Sequence, residues 1–245
     1  MNRMAEMARK VPWLRIGAEA VAIVGSILLA FSIDAWAERR RERALEADYL
    51  ERIADELADA RAVLEEIRLE ASTNLLYAPA LTAFLDGRMA SDDHQRLVVA
   101  IYKFGLDPVE LGFDVSTFDD LVSTGRLGLI SDPDLRQAIQ RAYAELQRIA
   151  PVRNPYRDVY IAALRSWIPT SIIGPIRDAC PTYTAYSACS GLHLDEETTR
   201  AIVGQIDMRE ALVAFRMREQ GLGTVLGMTS PILGVLDQTL ERLGR

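Results

Sequence analysis

The chain is poor in the residues that most enzymes use for chemistry. Its 245 residues include only two histidines, His94 and His193, and two cysteines, Cys180 and Cys189. There is no glycine-rich phosphate loop, no His-Glu-x-x-His and no Gly-x-Ser-x-Gly. The usual motifs of nucleotide binding, zinc proteolysis and serine hydrolysis are therefore missing. Aromatic residues are 7% of the chain, while Leu, Ala, Arg and Glu dominate, a balance that favours helices over sheets. A basic surplus is also lacking. The net charge is −7, spread along the chain, which argues against a nucleic-acid surface. Low-complexity tracts and internal repeats do not occur. No cofactor is expected, and no side-chain constellation supports a catalytic assignment.

Two carboxylate pairs stand out, Asp119-Asp120 and Asp132-x-Asp134. Both fall where helices are expected to start, and they read as caps and first-turn acids. His94 follows Ser91-Asp92-Asp93 and is expected to be exposed near another helix start.

Charge is absent altogether from Ala20 to Ile33. Trp13 and Trp36 flank this run, about 34 Å apart along a helix at about 1.5 Å per residue. That length suits a hydrocarbon core of about 30 Å with an aromatic at each interface. Arg39, Arg40, Arg41 and Arg43 follow closely. A transmembrane anchor, a cleaved signal peptide and a buried soluble helix compete for the segment. Ala35-Trp36-Ala37 fits a small-x-small cleavage site. Asp34 and the arginines beside it, and the long apolar run, weigh against cleavage. A soluble helix normally keeps a polar face, and this run has none. Glu19 and Asp34 bracket the apolar stretch at headgroup depth, where water reaches a carboxylate. Small residues recur at Ala18, Ala22, Ser26 and Ala30, a spacing that lets two helices approach closely and makes self-association in the span an open reading.

Orientation is not settled by charge. Arg3, Arg9, Lys10 and Arg15 precede the span, and Arg39, Arg40, Arg41 and Arg43 follow it, a near tie by the positive-inside rule. The cysteines help. Cys180 and Cys189 lie in one stretch rich in turn formers and read as a small disulfide loop. Two unrelated thiols, or a metal site using Cys180, Cys189 and His193, are the alternatives; the metal site lacks a fourth ligand at a familiar spacing. A disulfide persists in an oxidising compartment. On that reading residues 1–16 are a cytoplasmic tail, 17–36 the transmembrane helix, and 37–245 a periplasmic helical bundle with a cysteine loop at 178–191. A chain of this length has room for one anchor and one substantial domain.

No Pro or Gly occurs from Ala37 until Pro79, so the helix is expected to continue beyond the span. Leu45, Tyr49, Ile53, Leu57, Ala60, Leu64 and Ile67 mark one face of it. The stripe reads as the core face of a bundle, with a coiled-coil seam as the alternative. Further helices are expected over 77–85, 92–104, 116–125, from Asp132-Pro133 to about 149, over 156–167, after Asp195, and from Met208 almost to the end. Ser116 and Asp119 resemble a capping pair. A brief extended connector is expected over 126–130. Residues 221–236 are uncharged, but they hold Gly, Thr, Ser and Pro and are too short for a span. They read as a buried helix kinked near Pro231. The fold class expected is all-α, a transmembrane helix continuing into a bundle in which the first, the Asp132 and the C-terminal helices pack together.

Gly17-Ala18-Glu19, Ile33-Asp34-Ala35-Trp36-Ala37-Glu38 and Tyr49-Leu50 form one ordered set of motifs. Ser116-Thr117-Phe118-Asp119-Asp120-Leu121-Val122-Ser123-Thr124-Gly125, then Leu129-Ile130 and Asp134-Leu135-Arg136, form a second. In order and spacing these resemble a bacterial family of single-span inner-membrane proteins of unknown function. Asp34 and Ala35 replace that family's asparagine pair, and the cysteine loop has no counterpart in it. The resemblance implies one span and no activity. The function expected is a membrane-anchored interaction, sensory or scaffold module. Its partners are the lipid bilayer and either a second copy or another membrane protein, with no nucleic acid. The tail before the span is too short for an output domain of its own. An extracytoplasmic enzyme with an unrecognised site, or an accessory subunit of a membrane complex, is the alternative.

Overall fold

The computed structural model describes residues 13–88, 93–106, 112–149, 155–182 and 184–245, without the side chains of 13–16 and 155–156. Nine helices and no strand occur among them. They are α1 (Trp13–Leu75), α2 (Ala78–Leu85), α3 (His94–Phe104), α4 (Ser116–Ser123), α5 (Pro133–Ile149), α6 (Pro155–Trp167), α7 (Thr170–Ala179), α8 (Glu196–Gly204) and α9 (Met208–Arg242). The chain divides into two compact units, 1–50 and 51–245, and α1 runs through both.

In the first unit, α1 holds the uncharged run. Its apolar side chains lie open, with Val21 73%, Leu29 62% and Phe31 67% exposed. It is the one described segment long and apolar enough to cross a membrane.

The second unit is the bundle. Ile53, Leu57, Ala60, Leu64, Ile67 and Ala71 are all buried. Their spacing alternates four and three residues, so they stay on one side of a helix. The expected stripe therefore faces a core within the chain; of its members only Leu45, at 39% exposure, is left out. Hydrogen bonds fix the neighbours of this part of α1. Arg61 reaches Asp237 of α9 at 2.6 Å, Asp55 pairs with Arg245 at 2.8 Å, and Glu56 accepts from Tyr143 of α5 at 2.6 Å. The expected packing of α1, α5 and α9 is thus present. Ile139, Tyr143 and Leu146 of α5 and Ile232, Leu236 and Leu240 of α9 are buried with it. The first half of α9 instead joins α2, α3, α6, α7 and α8 around a second cluster that includes Leu97, Phe104, Tyr160, Trp167, Ile176 and Phe215. Phe104 stacks on Phe215 and meets Tyr160 edge-on. Gly105 lets this region close up, since a Cβ there would stand 2.8 Å from the Tyr160 ring and 2.9 Å from Leu164.

Several helix boundaries follow local chemistry. Asp132 Oδ1 accepts from the amides of Asp134 and Leu135, and Asp195 Oδ2 from that of Thr198. Asp207 caps α9 in the same way. Gly125, at φ +70, ends α4 in the left-handed conformation that glycine adopts freely. Residues 221–236 lie inside α9, where Leu222, Thr229, Ile232, Leu233 and Leu236 are buried, and the helix continues through Pro231.

Two of these local expectations need correction. Residues 127–129 form a turn of 3-10 helix where an extended connector was expected; the Leu129 amide closes it by donating to the Arg126 carbonyl. Ser116 and Asp119 do not make a capping box. Ser116 is the first helical residue, and its hydroxyl donates to Glu56 while its amide donates to Asp114. Helix α7 occupies residues to which the sequence pattern assigned no element; it accommodates Gly174 and Pro175, and Ile172 and Ile176 on its inner face are buried.

Candidate functional site

The membrane-facing candidates sit on α1. Ala18, Ala22, Ser26 and Ala30 are all exposed. The Ser26 and Ser32 hydroxyls donate to the carbonyls of Ala22 and Leu28 at 2.7 Å, so neither needs a partner outside the helix. Trp36 is 57% exposed, and the Arg40 guanidinium lies over its ring, 5.5 Å from the centroid. Arg41 pairs with Glu38 at 3.5 Å. Arg39 is exposed. The Trp13 side chain lies outside the described residues, as do residues 1–12 and with them most of the expected tail.

Cys180 and Cys189 are disulfide-bonded. Both sulfurs are thereby used, which removes the alternative metal site with His193. Among the described residues no His, Cys, Asp or Glu cluster suits a metal ion. Sequence reasoning missed how the loop is fastened. Lys103, buried in α3, donates from Nζ to the carbonyls of Cys180 at 2.9 Å and Pro181 at 2.8 Å. Burial pulls its ammonium pKa down. Gln95, two turns earlier, donates to the Leu192 carbonyl and accepts from the Leu194 amide. The Tyr77 hydroxyl donates to the Thr184 carbonyl at 2.6 Å. One signal was visible: Lys103 interrupts the otherwise apolar run Leu97 to Phe104.

Two further buried polar centres hold the bundle. Glu56 Oε1 accepts from the Thr117 amide at 2.8 Å and from Ser116 Oγ at 3.2 Å, and Oε2 accepts from Tyr143. The Phe118 and Tyr143 rings stack 4.3 Å apart. Burial, and then the hydrogen bond to Glu56, push the Tyr143 phenol pKa far up. The Ser-Thr-Phe motif of the sequence is thus the contact of α4 with α1 and α5. Arg218, 2% exposed, donates to the carbonyls of Phe104 at 3.0 Å and Leu106 at 2.6 Å, and Asn74 donates to Leu106 at 2.8 Å. Burial lowers the Arg218 pKa to about 10, with Tyr160 and Glu70 working against that fall.

A groove of about 370 Å³ beside the disulfide is lined by Pro175, Asp178, Ser190, Gly191, Leu192 and His193 among others. Serine, histidine and aspartate share it, but no hydrogen bond joins any two of them and Asp178 pairs with Arg177. A nucleophile–base pair is recognised by such a contact, and the described residues show none between these three side chains. Trp167 and Phe215 border an apolar cavity of about 20 Å³, room for a water rather than a substrate. His94 is half-buried, with a buried Nδ1, rather than exposed as expected. Asp119, Asp132 and Asp134 are exposed at helix starts and Asp120 is half-buried. The chain matches no family model, no curated protein and no solved structure.

Proposed function

We propose that this protein is a single-span module of the bacterial inner membrane, with its bundle on the periplasmic side, and that it acts by engaging a membrane partner. The observation that carries the reading is the apolar run of α1, whose residues stand open along its length. A surface of that size in water is a liability, whereas in a bilayer it matches its solvent. The self-satisfied hydroxyls of Ser26 and Ser32 suit the same setting. The disulfide supports the compartment, because reducing cytoplasm rarely keeps one. A partner subunit or a second copy then reads the bundle.

The test is fractionation of cells making the full chain, followed by protease treatment of spheroplasts and intact-mass measurement. The chain should resist carbonate extraction, keep its span uncleaved, and lose its bundle to external protease. A soluble product beginning at Glu38, or a protected bundle with free thiols, would refute the reading.

A further inference from the structure

We propose that the α1 face bearing Trp36, Arg39, Arg40 and Arg43 binds the headgroup phosphate of an anionic phospholipid. The inference rests on the membrane-anchored reading and names the lipid class that reading leaves open. At 3.6 residues per turn, these four side chains fall within little more than about a quarter of the helix circumference. Asp34, Glu38 and Glu42 fall on the other side. Arg41 belongs with the acids, through its contact with Glu38. Over residues 34–43 the segment is therefore sorted by charge across the helix, although its charges nearly cancel in sum; Glu46, about one turn farther from the apolar run, falls back near the arginine side.

Arg39 and Arg43 are exposed and make no ion pair among the described residues, despite the acids close by in sequence. Arg40 is placed by the Trp36 ring, a cation–π contact that leaves its N–H donors at the guanidinium rim free for an anion. The heights agree. Arg39 stands six residues beyond Ile33, about 9 Å along the axis at about 1.5 Å per residue, close to the headgroup layer outside a core of about 30 Å. Helix side chains tilt toward the helix N-terminus, which here is the membrane end, so Arg43 reaches back toward the same layer. Guanidinium and phosphate match as planar fork and tetrahedral anion in bidentate contact. A zwitterionic lipid offers the same phosphate with an ammonium that the cluster repels, so the anionic lipid is the occupant.

The test uses the full chain in vesicles of phosphatidylcholine alone and of phosphatidylcholine with phosphatidylglycerol, with retained lipid counted by native mass spectrometry. Wild type should retain phosphatidylglycerol well above its share. Arg39→Gln should cut that enrichment about fivefold, and the Arg39→Gln/Arg40→Gln/Arg43→Gln variant should abolish it. Arg41→Gln should keep most of it, with helical content unchanged in all. Equal enrichment in the triple variant, an equal loss in Arg41→Gln, or emptying of the site by inorganic phosphate would overturn the proposal. Flotation with phosphatidylcholine vesicles but no selectivity defeats this inference alone. Failure to float with either vesicle defeats the anchored reading and this one with it.

Discussion

A carboxylate buried among three donors is costly to remove, and Glu56 is such a group. Its loss strands the Thr117 amide, the Ser116 hydroxyl and the Tyr143 hydroxyl, of which the Thr117 amide and the Tyr143 hydroxyl are buried. Glu56→Ala should cost about 2–4 kcal/mol in denaturant unfolding, and Tyr143→Phe about 1–2 kcal/mol. Leu57 and Leu146, at 0% and 1% exposure, have no polar partner to offer a charge. Leu57→Asp and Leu146→Asp should each lower stability by about 3–5 kcal/mol; unchanged melting would mean that the faces are misassigned. Asp195 is a surface case with a pH signature. Hydrogen bonds from the Thr198 hydroxyl and amide hold its carboxyl below the usual range. Its contribution is therefore complete above the unfolded pKa of about 3.9 and fades as pH falls through the lower folded value. The melting difference between wild type and Asp195→Ala should be present at neutral pH and shrink in acid below about pH 4.

Among the elements, those with a regular stripe or a capping acid were legible. Helices α5, α8 and α9 begin where Asp132, Asp195 and Asp207 accept amide hydrogen bonds. Helix α7 was not legible, because its Gly174 and Pro175 signal a break that tertiary burial of Ile172 and Ile176 overrides. The contact of α4 with Glu56 was hidden for another reason: the acceptor stands about sixty residues away, and local pattern carries no such distance. Arg218 could have been noticed, since it falls between Phe215 and Leu222 on the buried face of α9. The disulfide was legible from composition and spacing, but its attachment to Lys103 and Gln95 was not. On the chain-entropy model, closing this loop of about ten residues contributes about 2–3 kcal/mol. Cys180→Ser/Cys189→Ser should lose about that much. Lys103→Met, which removes the donor to two carbonyls, should expose the loop to faster amide exchange at Cys189 and Ser190, whose amides are hydrogen-bonded within it and to Ala179.

For the whole molecule, the two units differ in what they ask of solvent. The open apolar side chains from Val21 to Ile33 belong to the first. A chain of residues 37–245 should therefore be recovered soluble and helical with its disulfide intact, whereas the full chain should need detergent; sedimentation and circular dichroism check both. Aggregation of the shorter chain would show that the bundle depends on the segment removed. The all-α class and the position of the apolar segment were legible because both are compositional. The groove beside the disulfide was not, because it arises from residues brought together by the bond and by the Ala179 to Ser190 backbone contact. That bond also sets how the protein answers to a protease. Pro181, Thr182, Ser187 and Ala188 are exposed within the loop, and a single cut there would open the backbone without separating the pieces. The nicked protein would run as one molecule under oxidising conditions and as two only after reduction, with α7 and α8 still joined through sulfur.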